Sequence, residues 1–308
     1  MFTIRSPEPN EWPVALRLTL PLAVGAGEPL IERMACDVPP PIAAGMRVAE
    51  HRGELVAAGC ILLEAGPIVT VWPPLAAPIG EPAIAWEARR ALSKCLEALA
   101  RAEGRVTLQV TLPERPDGAT HADIAKQLSD AGFKPAGALD YLVWTSQPVV
   151  FDPLPPGWHC RTVPSDDPDL LAVIEESYVA TQDCPMLNGV VPAGAAVQGY
   201  RAASAYRPDW WWLWRRGDDP VGCLILADHP DDLQAELVYM GLVPRARGFG
   251  GGAAMTRFAQ RITREAGRRR LVLAVDAANE RAQDVYLLAG FQRWERRRLW
   301  LRFLGRGP

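Results

Sequence analysis

The run from Glu236 to Ala253 limits the possible folds more than any other stretch of the chain. Leu237 to Val243 is apolar on both faces of an extended chain, the pattern of a strand buried inside a sheet. Gly241, near its end, marks a bulge or a close backbone approach. Pro244 has no N–H to give to a ladder, so pairing should stop there. A turn with two arginines (Arg245, Arg247) and four glycines (Gly248, Gly250, Gly251, Gly252) follows. From Ala253 to Ala266, Met255, Phe258, Ala259 and Ile262 recur at helical spacing. A strand, a glycine turn and a helix N-terminus in that order turn unpaired N–H groups and the positive end of a helix dipole outward. A phosphate or pyrophosphate is the natural ligand.

Several motifs share this outline. A plain flexible glycine loop is one reading. A Walker A loop fails because no Gly-Lys-Ser/Thr follows. The pattern Gly248-x-Gly250-x-x-Ala253, with Asp276 closing the next strand, fits a dinucleotide fingerprint and with it an NAD-dependent oxidoreductase. A longer match also exists. Leu242-x-Pro244 leads into Arg247-x-x-Gly250-x-Gly252. After a strand at Leu271 to Ala277 comes Asn279-x-x-Ala282-x-x-Val285-Tyr286, ending in Gly290-Phe291. Two motifs in this order and spacing resemble the coenzyme A pyrophosphate loop and the following helix of the GNAT superfamily of N-acetyltransferases.

The resemblance implies acetyl-CoA as co-substrate, no metal, and an amine acceptor that is a small molecule or a peptide. It implies that Arg247, Gly248, Phe249, Gly250, Gly251, Gly252 and Ala253 hold the pyrophosphate. The backbone of Leu242 and Val243 would pair with the pantetheine arm, one amide polarising the thioester carbonyl, and Gly241 would permit the bulge that frees those amides. Glu236, 11 residues before Arg247, takes the place of the general base, and a mostly apolar strand would desolvate it and raise its pKa. Asp228 and His229 are alternative bases. Tyr286 takes the place of the general acid for the departing thiolate. Asn279, Ala282 and Tyr286 share a helical face, with Asn279 also an N-cap. The competing reading keeps the loop without catalysis, as an acyl-CoA-binding module indifferent to Glu236 and Tyr286.

The rest of the chain reads as two versions of one mixed α/β unit, each a mostly antiparallel sheet flanked by helices. The expected halves are 1–146 and 158–308, joined by a proline-rich linker at 147–157. Each half ends a helix in Gly-Phe, at Gly132-Phe133 and Gly290-Phe291. The first half lacks the glycine loop: Val71-x-Pro73 is followed by Pro74-Leu75-Ala76-Ala77-Pro78-Ile79-Gly80. Counting back from Gly-Phe, His121 stands at the place of Asn279 and Leu128 at that of Tyr286. The first half is therefore read as degenerate and non-catalytic. In the second half, Trp210, Trp211, Trp212 and Trp214 crowd one strand, mostly as core, with one or two left for an acceptor pocket. Thr181 to Val191 reads as a lid-like loop.

A net charge of −3 gives no prior for nucleic acid. Six cysteines without a Cys-x-x-Cys, and four scattered histidines, point to reduced thiols and no metal site. Apolar stretches are broken within about ten residues, too short to span a membrane, and no leader pattern opens the chain. The expectation is a cytoplasmic monomer or homodimer.

Overall fold

The computed structural model describes residues 2–24, 27–78, 81–114, 118–147, 154–204 and 206–305. Residues 148–153 of the expected linker and 79–80 of the first half's strand-to-helix connection lie outside them. The chain forms two compact units, Met1–Ala136 with Arg298–Pro308, and Gly137–Arg297.

The first unit contains β1 (Thr3–Arg5), α1 (Trp12–Val24), α2 (Glu28–Cys36), α3 (Pro40–Gly45), β2 (Met46–His51), β3 (Glu54–Ile61), β4 (Ile68–Ala76), α4 (Pro82–Ala102), β5 (Thr107–Pro113) and α5 (Gly118–Asp130). Neighbours from β1 to β4 pair antiparallel, whereas β4 and β5 pair parallel over Ile68–Thr70 and Thr107–Gln109. Alternation along β3 separates two cores. Ala58 and Cys60 pack with Leu16 and Leu20 of α1, and Ala57 packs with Ala88 and Leu92 of α4. The helix α4 follows the apolar spacing of the sequence: Ala88, Leu92, Leu96 and Ala100 form its buried face.

The second unit contains β7 (Trp158–Thr162), α6 (Pro168–Ser177), α7 (Ala193–Ala202), β8 (Trp211–Arg216), β9 (Asp219–His229), β10 (Gln234–Leu242), α8 (Gly251–Glu265), β11 (Arg270–Asp276) and α9 (Glu280–Leu288). The end caps are local. Asp167 accepts from the amides of Asp169 and Leu170 to start α6, and Glu175 accepts from Ala193 to start α7. Strands β7 to β10 run antiparallel, and β10 pairs parallel with β11 over Gln234–Glu236 and Arg270–Val272.

Two strands cross the division of the chain, which sequence reasoning did not anticipate. From Gly137 onward, β6 (Lys134–Thr145) belongs to the second unit, where it pairs antiparallel with β11. From Arg298 onward, β12 (Gln292–Phe303) belongs to the first, where Trp300 joins the core of Val110, Ile124 and Leu128. Each unit is thus closed by residues from the other half of the sequence.

The closing strand of the second unit carries a buried charge. Asp140, with a side chain 1% exposed, accepts from Arg296 Nε at 2.6 Å and from its terminal nitrogen at 2.7 Å. These bonds, with Arg293 nearby, hold its carboxyl below the ordinary range despite burial. Stability from a depressed carboxyl is complete above its unfolded value of about 3.9 and is lost as pH falls through the folded one. Asp140→Asn should therefore cost about 2 kcal/mol at pH 7 in urea unfolding. The gap to wild type should narrow below about pH 4. A pH-independent gap would assign the role to packing instead of charge.

Candidate active site

Strands β10 and β11 pair for three residues and then part. Pairing ends at Glu236 and Val272, and β10 carries a bulge between Leu237 and Tyr239. The extra residue, Val238, explains why Glu236 and Tyr239 share a face although three apart. They sit opposite Ala227 and Ile225, two residues apart on β9. The bulge is thus at Val238 and not at Gly241, as the sequence had suggested. Gly241 meets the other expectation, a close approach: a Cβ there would lie 2.7 Å from Ser177 Oγ, so α6 could not pack this close.

Past the bulge, Val243 donates its amide to Val221 across the sheet at 3.0 Å. Alternation then turns the Leu242 N–H, and by the same rule that of Met240, toward the parting. Of the two expected amides, Leu242 is available and Val243 is already used.

The glycine turn follows. Gly248 and Gly250 take φ of +85° and +79°, the left-handed region, and Gly250 is the N-cap of α8 without a side-chain cap bond. Ala254 is the first amide of the helix to find an acceptor, Gly250 O at 3.1 Å. Among the described residues, the amides from Gly248 to Ala253 have none. Gly252 lies against Val285 of α9, 3.9 Å from where its Cβ would be, and Gln260 of α8 donates to Ala289 O at 2.8 Å. These contacts bring the turn beside the Asn279–Tyr286 helix.

The arginines of the motif are engaged elsewhere. Arg247 donates to Leu242 O at 3.0 Å, to Ser177 O at 2.8 Å, and to the carbonyls of Val179 and Ala180 at 3.0 and 3.2 Å. It satisfies orphan carbonyls at the end of α6 and ties them to β10. Arg245 pairs with Asp219 and Glu176. The cations left beside the turn are Arg216, over the exposed ring of Phe249 at 5.5 Å, and Arg281, whose charge adds to the larger effect of burial in lowering the Arg247 pKa. Neither has an acceptor among the described residues. Sequence reasoning missed both, since only the fold brings them to the turn.

Glu236 sits at the last position of β10 that is paired with β11. Its carboxylate is 38% exposed and hydrogen-bonds His229 Nε2 at 3.0 Å, so it is not the desolvated group expected from the apolar strand. This bond raises the His229 pKa, against the lowering effect of burial. The two residues first considered as rival bases to one another form a pair. Asp228 is bound by Arg268, at 2.5 and 2.9 Å, and by Arg207, at 2.9 Å. Arg268, then Arg207, lower its pKa, which makes it a structural carboxylate and a poor proton acceptor.

Tyr286 is buried against Phe291, with ring centroids 5.6 Å apart. Burial, and secondarily the Asp183 carboxylate, push its phenol up, so it stays protonated at neutral pH. Its hydroxyl has no partner among the described residues. Asn279 is the N-cap of α9, accepting from Ala282 at 3.2 Å. Asp276 does not present a free carboxylate to a ribose: its oxygens accept from Cys184 and Ala278 at 3.0 and 2.8 Å. Asp183, Cys184 and Asp276 gather their ligand-type atoms within 4.8 Å. Backbone amides occupy the carboxylates, since Asp183 itself accepts from Asp276 N at 3.1 Å. They fasten the 181–191 loop to the end of β11.

Trp210, Trp211, Trp212 and Trp214 are all buried. Trp212 and Trp214 stack edge-on against Phe258 of α8, and Trp211 against Tyr206. Trp210 lies in a 3₁₀ turn just before the strand. The aromatic wall on the Glu236 face is made by tyrosines. Tyr200 stacks on Tyr239 at 5.1 Å and hydrogen-bonds Tyr178 at 3.1 Å, while Ser177 holds Tyr239 at 2.7 Å.

Residues 187–291 match the model of the Acetyltransferase (GNAT) family. Among solved structures the chain resembles a GCN5-related N-acetyltransferase from Sphaerobacter thermophilus, at 18% identity and TM-score 0.66 over 98% of this chain and 95% of that one. It also resembles a tandem GNAT protein from the clavulanic acid biosynthesis pathway, at 19% identity and TM-score 0.58 over 100% and 99%. A third likeness is to the glucosamine N-acetyltransferase region of a fungal multi-domain GH3 beta-N-acetylglucosaminidase, at 14% identity and TM-score 0.64 over 98% and 38%. No curated protein matches it in sequence. Among the described residues, no helix is long and apolar enough to cross a membrane. The chain has the GNAT fold in tandem arrangement, and its residues 187–291 match the GNAT acetyltransferase family model.

Proposed function

We propose that the second unit is an N-acetyltransferase that takes acetyl-CoA in the parting between β10 and β11 and passes the acetyl group to an amine. The observation that carries this reading is the row of amides without acceptors, Gly248 to Ala253, at the mouth of two parted parallel strands. Acetyl-CoA would supply an acyl group activated as a thioester. The turn amides would hold its pyrophosphate, helped by Arg216 and Arg281, and the exposed Phe249 ring offers a stacking surface to its base. Arg247 would contribute by fixing the turn and Asn279 by capping α9. The Leu242 N–H would donate to the thioester carbonyl, where negative charge grows during attack.

Proton movements fall to two side chains. Glu236 would take the proton that the amine gives up on forming the C–N bond, with His229 orienting the carboxylate. Tyr286, protonated and unshared, would give its proton to the sulfur as the C–S bond breaks. The acceptor would lie on the Glu236 face, beside the wall of Tyr178, Tyr200 and Tyr239, as a small amine or a peptide amine.

Calorimetric titration of acetyl-CoA should give saturable binding of roughly micromolar Kd, abolished in Gly250→Asp, whose carboxylate repels the pyrophosphate. NAD titrated in parallel should not bind. No heat with acetyl-CoA, or binding of NAD instead, would end this reading. In thiol-release assays on an identified acceptor, Glu236→Gln should lower kcat by roughly 10²–10⁴. Tyr286→Phe should lie at the low end of that range, since a thiol with a pKa of about 8.5 leaves with little help. Full activity in both variants would remove the proton-transfer roles of Glu236 and Tyr286, whereas acetyl-CoA binding with no thiol release on any amine would favour a site that only binds acyl-CoA.

The His229–Glu236 bond has its own signature. A histidine whose folded pKa is raised above about 6.5 adds stability that is present below that pH and is lost as pH rises through the folded value. By NMR, the His229 titration midpoint should fall in Glu236→Gln. An unmoved midpoint would show that the two groups are not coupled in solution.

A further inference from the structure

The first unit holds a cavity of about 520 Å³ between α4, α5 and the end of β12, within the size range of small-molecule sites. Its charge is lopsided. Arg89, Arg90, Lys94 and Arg302 line it against Glu97 and Asp130, four positive groups to two negative, a surplus of two. Glu97 is taken by Arg101 and Arg302, Asp130 by Lys126, and Arg89 reaches out to Asp123. Arg90 and Lys94 remain. They are exposed, stand four apart on one face of α4, and have no acceptor among the described residues.

The floor of the cavity carries an independent sign of a ligand. Gln127 lines it, is 5% exposed, and has one half of its amide unpartnered. Its nitrogen donates to the Pro74 carbonyl at 3.0 Å. A carbonyl can only accept, so the amide orientation is fixed and the oxygen is the orphan. The Nε of Arg89, also buried, is the complementary orphan donor. An unpartnered buried acceptor and donor are costly unless something completes them. Trp86, held between Arg89 at 5.6 Å and Lys126 at 4.9 Å, gives the cavity a flat apolar wall.

We propose that this cavity binds a small hydroxylated anion: its phosphate or carboxylate faces Arg90 and Lys94, and a hydroxyl donates to Gln127 Oε1. The site is separate from the glycine turn and does not depend on the acetyltransferase reading. It gives the first half, which lacks that turn, a ligand of its own.

The test is calorimetry on the full chain at low salt with three probes: sn-glycerol 3-phosphate, D-glycerate and inorganic phosphate. At least one hydroxylated probe should bind saturably to wild type and equally to Gly250→Asp, and the preferred one identifies the anionic group. Inorganic phosphate should bind more weakly, for want of the hydroxyl. The double variant Arg90→Ala/Lys94→Ala changes only exposed side chains, so it should keep its circular dichroism spectrum and lose about tenfold or more in affinity. Gln127→Met should bring the hydroxylated probe down toward inorganic phosphate. No saturable binding of either hydroxylated probe to wild type would overturn the proposal. So would binding that survives Arg90→Ala/Lys94→Ala and disappears in Gly250→Asp, which would place the anion on the glycine turn.

Discussion

The second unit depends on a parallel strand pair that stops after three residues. Parting two strands strips hydrogen-bond partners from the backbone on both sides, which is costly wherever water is kept out. The surrounding residues limit that cost selectively. The Val238 bulge turns β10, Val243 keeps its bond to Val221, and Arg247 covers the Leu242 carbonyl. What stays open is a set of donors: the Leu242 amide along the strand and the Gly248–Ala253 amides at its mouth. At the mouth the Leu242 carbonyl is satisfied and the turn amides are left, so this end of the opening suits a ligand rich in phosphate oxygens.

Arg247 shows how the same residue can be legible in sequence and still act unexpectedly. Its spacing from Gly250 and Gly252 marks the motif, yet its guanidinium faces the carbonyls at the end of α6. A cation there keeps its charge near the turn while locking the turn to the helix that precedes the 181–191 loop. Arg216 and Arg281 are the cations that the proposed binding leaves to meet an anion directly, and neither stands at a motif position.

The glycine turn, the N-cap at Asn279 and the buried face of α4 could all be read from sequence because each is decided by residues a few positions apart. The same holds for the doubled α/β pattern. The Glu236–His229 bond was not legible, because it needs the β9–β10 register. Nor was the partner that Gly241 approaches, Ser177 on a distant helix. The helices α2 and α3, and strand β2, fall in a stretch of mixed polarity and many prolines where periodicity gives no clear period. The exchange of β6 and β12 between the units leaves no mark on either strand, since both remain good strands wherever they pair.

The first unit repeats the parallel pairing of three residues, Ile68–Thr70 with Thr107–Gln109, but its opening is chemically different. Pro73 and Pro74 stand where β4 would offer donors, and proline has none to give. Gln127 holds the place that Val285 has in the second unit, counting back from each Gly-Phe pair, and its nitrogen closes on the Pro74 carbonyl. An apolar residue touching the glycine turn in one unit is thus an amide sealing the strand in the other. Sealing consumes only the donor half of that amide. The oxygen is left without a partner on a side chain that also lines the cavity of Arg90 and Lys94, so closing the strand opening and supplying the acceptor of the proposed second site would be consequences of one side chain.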